Sequence, residues 1–351
     1  MGVSAFPQAS AICYPSPSAM GLLEALFGRR FPFKFVYHEE YWMLNTGKHV
    51  FPVRKYRLIH ERLASMGARK ENFLTPSPVS FEDLQFVHSP KYLRKLQAGT
   101  LPQDEQSALE LPFSPELVSF ARLSVGGTIL AAGQALADGI CVHIGGGFHH
   151  AFADHGEGFC LLNDIAVAIE KLRREGRIAR AMIVDCDVHQ GNGTAAIFEK
   201  REDVFTFSLH QMDIYPSEKM TGSLDVGLWS GDGDRAYLEA MREHFPKLYR
   251  DFRPDLVFYL AGADPLVGDQ LGGLAVTKAG LLTRDRIVLE GAFRLKIPIV
   301  ILLGGGYAHD PAETTDVHLN TIRTAVVMKR RASRLVLKNG DLPAERPSFR
   351  P

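Results

Sequence analysis

From residue 139 onward the chain repeats one rhythm: a short apolar run, a turn rich in glycine or polar residues, then a helical stretch. The apolar runs fall at 140–144, 180–186, 204–209, 256–261 and 298–303, and helices are expected over 164–175, 192–200, 235–250, 278–295 and 309–329. Runs so short and so uniformly apolar suit strands buried on both faces. Strands that alternate with helices are parallel, because each helical crossover carries the chain back to the edge of the sheet from which it left. The rhythm predicts an α/β fold of three layers, a mainly parallel sheet with helices on both faces. No internal repeat accompanies it.

The first third of the chain reads as mostly helix. Residues 53–66 have helical periodicity, Ser80-Phe81-Glu82-Asp83 resembles a capping box, and Ser89-Pro90 and Ser114-Pro115 each set a cap residue before a first-turn proline. A first strand is expected at 33–37. Residues 1–30, with Pro, Ser and Ala around one apolar patch (Leu22, Leu23, Leu26, Phe27), predict an irregular N-terminal extension. Residues 333–351 predict a loose C-terminal tail, which leaves 31–332 as a single catalytic-size domain.

Composition narrows the function classes. With 40 basic and 40 acidic residues the 351-residue chain is formally neutral, so nothing favours a nucleic-acid partner. No apolar run approaches the length of a membrane span, and no signal-peptide pattern opens the chain. Four cysteines (Cys13, Cys141, Cys160, Cys186) form no C-x-x-C pair and are expected to be reduced thiols, which points to a cytoplasmic protein. Nothing in the sequence specifies an oligomer.

Polar motifs follow five of the apolar runs: Gly145-Gly146-Gly147-Phe148-His149-His150, then Asp187 with His189, Ser208-Leu209-His210, Ala261-Gly262-Ala263-Asp264 and Gly304-Gly305-Gly306-Tyr307. All stand at carboxyl ends of expected strands, where open α/β sheets bind ligands. In Asp185-Cys186-Asp187-Val188-His189 a period of two sets two carboxylates and an imidazole on one side of the backbone. Buried together, they would be costly without a cation. Asp187, His189 and Asp264 make the three-ligand oxygen and nitrogen set that a catalytic zinc uses while one position stays open. Fe(II) or Mn(II) accept the same set. The bland alternative has the two aspartates capping helices and His189 filling a polar corner. His149-His150, on a glycine turn beside this edge, suit a general base that later acts as acid. His143, inside a strand, reads as structural. Tyr307, after three glycines, could donate to a carbonyl oxygen as it becomes an oxyanion. The parts describe metal-assisted hydrolysis of an amide.

These motifs, with Gly158-Phe159-Cys160 and Asn163-Asp164-Ile165, resemble those of the zinc-dependent histone deacetylases and their bacterial amidohydrolase relatives. The resemblance spans about residues 33–330. Gln190, Asn192, Gly272-Gly273-Leu274 and Ser124-Val125-Gly126-Gly127-Thr128 are most similar to the class IV branch. The resemblance implies an arginase/deacetylase-like fold and removal of acyl groups, acetyl or longer fatty acyl, from lysine-type amines. It implies zinc on Asp187, His189 and Asp264, and a structural potassium held by Asp185, Asp187, His189, Ser208 and Leu209. His150 becomes the proton shuttle, His149 is oriented by Asp185, and Tyr307 polarises the acyl carbonyl. Gly158, Phe159, Leu271 and Tyr215 line the channel for the acyl-lysine stem, and Lys55 falls at an inner-cavity position.

Two departures matter. Many members carry an aspartate where Asn192 stands; asparagine can orient His150 but cannot stabilise its cation, which favours the base form. The acidic residue with which class I enzymes grip substrate has no match between Gly99 and Leu111. Hydrolysis of small acylated amines such as acetylpolyamines is the alternative on the same site. A catalytically silent acyl-lysine-binding protein is the alternative from another class. A two-metal, arginase-like ureohydrolase is disfavoured, since Ala263 and Pro265 flank Asp264 where further carboxylates would be needed.

Overall fold

The structure, a computed structural model, describes residues 31–338. The expected N-terminal extension and residues 339–351 of the expected tail lie outside the described residues. Within them, one eight-stranded sheet is built from β1 (Lys34–Val36), β2 (Phe73–Leu74), β3 (Ile140–His143), β4 (Ala181–Asp185), β5 (Val204–Gln211), β6 (Leu224–Leu228), β7 (Leu256–Leu260) and β8 (Ile299–Leu302). Their order is β2-β1-β3-β8-β7-β4-β5-β6, and every pairing is parallel.

Side-chain alternation along the central strands divides the core in two. Val142, Met182, Val184, Tyr259 and Ile301 face one hydrophobic cluster, whereas Cys141, Ile183, Phe258, Val300 and Leu302 face the other. Helices cover both faces, so no central strand meets water, and this explains why these strands read as unbroken apolar runs. The fold is the three-layer α/β arrangement that the sequence rhythm predicts.

The caps form as their residues dictate. The Ser80, Ser89 and Ser114 hydroxyls accept from the backbone N–H groups of Asp83, Tyr92 and Leu117, opening the helices Phe81–Leu84, Pro90–Ala98 and Pro115–Asp138. Three elements depart from the sequence reading. The single helix expected over 235–250 is two, Asp234–His244 and Lys247–Phe252, because Pro246 has no N–H to continue the ladder. The edge strands β2 and β6 are absent from that reading. One is two residues long, and the other alternates half-buried and exposed positions around Gly227. The last helix, Pro311–Lys338, runs on past residue 332.

Candidate metal centre

The sheet order brings the motifs together. β3, β8, β7, β4 and β5 are consecutive neighbours, and all being parallel they end at the same edge. Residues from 145 to 307 therefore meet at one place.

Beyond β4 the backbone curls over its own carboxylates. The Asp187 N–H donates to Asp185 Oδ1 at 3.0 Å, the His189 N–H to Asp187 Oδ1 at 3.0 Å, and the Val188 N–H to Asp264 Oδ1 at 2.9 Å. These bonds gather Asp187, His189 and Asp264, all buried, with one potential ligand atom from each lying within 4.8 Å of the others. His189 Nδ1 stands 3.1 Å from Asp187 Oδ1 and 3.8 Å from Asp264 Oδ2. Asp264 Oδ2 is buried without a hydrogen-bond partner.

A buried carboxylate oxygen facing another carboxylate is unstable unless something positive meets it. Burial first, then Asp187 and Asp269, hold the Asp264 carboxyl well above the usual range. Burial opposes ionisation of Asp187 too, yet His149 and His189 outweigh it and hold that carboxyl low. The backbone leaves room for a cation: at Gly305 (φ +58°) a Cβ would sit 2.2 Å from Asp264 Oδ2 and 2.6 Å from Asp187 Oδ2. The donor set, its orphaned oxygen and this bare glycine fit a divalent metal.

The histidine pair lies alongside. His149 Nδ1 is 2.6 Å from Asp185 Oδ2, the two Nε2 atoms are 3.1 Å apart, and His150 Nδ1 is 2.7 Å from Asn192 Oδ1. The two rings are driven apart in basicity. Burial penalises the His149 cation, but Asp185 and Asp187 overcome it and raise the imidazole to about 9. His150 is pushed well below its ordinary value by burial and by the neighbouring His149 and His189. His150 is thus the neutral ring.

Tyr307 is half-buried, its ring centroid 6.4 Å from that of His189. Burial, with Asp187 and Asp264 behind it, keeps its phenol protonated and so a donor. Phe159 stands 6.0 Å from Tyr307, while Tyr215 stands 5.0 Å from His150 and 6.2 Å from His189. Gly158 lies against both His150 and Tyr215, and Leu271 is half-buried on the next loop. At the residues of the implied potassium site, Asp185 and Ser208 are register partners, and Ser208 Oγ is 2.9 Å from His210 Nδ1. The Leu209 side chain packs in the core. Buried Lys55 donates to the Gly305 carbonyl at 2.5 Å, and burial brings its ammonium down to about 8 against the pull of Asp264, Asp187 and Asp269.

Further side chains hold the loops. Asp269 accepts from the N–H of Tyr307 at 2.6 Å through one oxygen and of Leu271 at 2.9 Å through the other, tying two loops together. Buried Arg284 donates to the Gly262 carbonyl at 2.6 Å and pairs with Asp285, bracing the end of β7 from below. Gln190 bonds the backbone of Met220 in both directions and so fixes the loop that carries Tyr215. Gln190 is among the motif residues that the sequence already singles out; Arg284 is flagged in the sequence by nothing more than the charge run Arg284-Asp285-Arg286 within helix Lys278–Arg294.

A histone deacetylase domain matches residues 49–322. The chain is 42% identical over 277 residues to an uncharacterized protein of Picosynechococcus, covering 79% of this chain and 92% of that one. It is 35% identical to histone deacetylase 2 of Arabidopsis thaliana, over 75% of this chain and 71% of the relative. The histone deacetylase-like amidohydrolase of Pseudomonas aeruginosa is 33% identical, over 66% and 65%.

Proposed function

Since the chain belongs to the histone deacetylase family, a family of metal-dependent hydrolases, we propose that it is a zinc-dependent deacylase that removes acyl groups from the side-chain amine of lysine. The observation that carries this reading is the convergence of an orphaned Asp264 oxygen, the His150 ring held by Asn192 and the Tyr307 phenol around His189. Zinc, when bound by Asp187, His189 and Asp264, would polarise the acyl carbonyl and acidify the attacking water. The protein's own groups do the rest. Asn192 takes up Nδ1 of His150, which leaves Nε2 as the base; it accepts the proton of the water and returns it to the departing amine. His149, held by Asp185, places positive charge beside that proton transfer. The phenol of Tyr307 donates to the acyl oxygen as negative charge grows there. Phe159, Tyr215, Gly158 and Leu271 would wall the channel in which the methylene stem lies. A potassium ion at Asp185, Asp187, His189, Ser208 and Leu209, the last two partly through backbone carbonyls, completes the reading.

Residues 31–332 would form the catalytic unit. A cytoplasmic location accords with three buried, unpaired cysteines, Cys141, Cys160 and Cys186, and among the described residues no helix is long and apolar enough to cross a membrane. The Gln190 and Asn192 variants support a class IV-like preference for long acyl chains. Turnover of acetyl-, octanoyl- and myristoyl-lysine peptides and of N-acetylputrescine, with metal content measured on the same sample, tests the reading. Fastest turnover on myristoyl-lysine is expected. Preference for acetyl-lysine would sink the chain-length element, preference for the acetylpolyamine the lysine substrate, and no turnover of any acylated amine the function itself.

A further inference from the structure

Glu157 lies in the tight turn between the histidine pair and Phe159. Reciprocal backbone bonds with Cys160 close the turn at 3.1 and 2.8 Å, and the N–H groups of Gly158 and Phe159 fasten it to Ala108 O and Leu109 O at the end of helix Gln103–Leu109. Gly158 and Phe159 both adopt positive φ there, +50° and +68°. The carboxylate is thereby carried on a held backbone. Its Oε1 accepts from the Tyr215 hydroxyl at 2.5 Å and from Asn192 Nδ2 at 3.3 Å, and its Oε2 faces His155 Nε2 at 3.6 Å.

An asparagine side chain has two unlike ends, and which one faces His150 decides where that ring carries its proton. A carboxylate only accepts, so Glu157 selects the amide NH2 of Asn192 as its partner. The Asn192 carbonyl must then point the other way, toward His150 Nδ1 at 2.7 Å. A carbonyl only accepts as well, so Nδ1 carries the hydrogen and Nε2 keeps its lone pair. An aspartate in place of Asn192 would accept through either oxygen and would need no such partner.

We propose that Glu157 is a positioning residue that orients the Asn192 amide, fixes the Nδ1–H form of His150, and ties Tyr215 of the channel wall to the same carboxylate. The kinetic part of this inference rests on the deacylase reading; the ring's tautomer does not. Glu157 touches no reacting atom and acts through Asn192.

The test compares zinc-loaded wild-type protein with Glu157→Met, which matches the side chain in length and has no comparable acceptor, and Glu157→Gln, whose amide oxygen can still accept from Asn192 and Tyr215. Nitrogen-15 imidazole shifts of His150, assigned by their loss in His150→Gln, should report the Nδ1–H form in wild type and Glu157→Gln, and a mixture in Glu157→Met. With an acyl-lysine peptide, kcat should fall about tenfold in Glu157→Met and stay within about threefold of wild type in Glu157→Gln. In an Asn192→Asp background there is no amide to orient, so adding Glu157→Met should cost less than about twofold in kcat. An unchanged Nδ1–H signature in Glu157→Met, or the same tenfold loss in the Asn192→Asp background, would overturn the inference. If wild type hydrolyses no acyl amide, the function reading fails and the tautomer measurement still decides this one.

Discussion

Two buried polar clusters flank the turn of residues 145–150, and they treat their carboxylates in opposite ways. Asp164 accepts from the N–H of Phe148 at 2.7 Å through one oxygen, and from the N–H of Gly147 at 3.0 Å and the Thr128 hydroxyl at 2.5 Å through the other. Thr128 in turn takes the Nδ1–H of His143, whose Nε2 accepts from the Tyr41 hydroxyl. Every polar atom of that chain has a partner within the fold. Asp264 is equally buried, accepts from one backbone N–H, and leaves its second oxygen unpaired. The first cluster is complete as folded and serves to hold the glycine turn; the second is complete only with a ligand. A buried acid reveals its purpose by what it lacks.

The contrast can be broken at several points. Asp264→Ala should cost about a thousandfold or more in kcat/KM and abolish retention of the metal, read by kinetics and elemental analysis. In chelator-stripped protein, Asp264→Asn should raise the Tm, since it removes repulsion between two buried carboxyl groups; a lowered Tm would contradict the unpaired character of this cluster. Tyr307→Phe should lower kcat about a hundredfold with little change in KM if, as proposed, its hydroxyl donates to the acyl oxygen as charge develops there. The satisfied cluster should respond in stability instead: Asp164→Asn turns an amide NH2 toward existing donors and should destabilise by about 3 kcal/mol in urea unfolding.

The smallest effect is a slope. Burial lowers His143 to about 3 and His88 to about 4, so both stay neutral in the fold and gain a proton on unfolding. Their contribution is fully present above the unfolded value, about 6.5, and is lost as pH falls toward those folded values, each proton adding about 1.4 kcal/mol per pH unit. His143→Gln should lower stability overall while reducing that slope by one proton between pH 6.5 and 4. An unchanged slope would show that His143 is not the neutral member of the first cluster.

How much of this was legible in the sequence depended on distance along the chain. The central strands and the residues at their ends stood out because local patterns, apolar runs and glycine turns, encode them directly. The short edge strands were silent, β2 for want of length and β6 because a half-exposed strand with Gly227 has no continuous apolar signal. Pro246 is a breaker, yet the apolar periodicity continues on both sides of it and so predicts one helix where there are two. Asp187, His189 and Asp264 could be grouped from spacing and strand order. Glu157 and Arg284 could not, because their roles lie in contacts with Asn192, Tyr215 and Gly262 that no local periodicity records.

β8 is the last strand among the described residues, yet it lies in the middle of the sheet, between β3 and β7. Until residues 299–302 arrive, the facing edges of both neighbours have no partner, and the loop bearing Gly305 and Tyr307 has nothing to hold it over Asp264. During synthesis the strands on either side must wait for the final piece, with long-range pairings that make such folding slow. Competence to take up metal therefore arrives last, and a chain cut short before β8 would carry the aspartates and histidines of the centre without its closing wall.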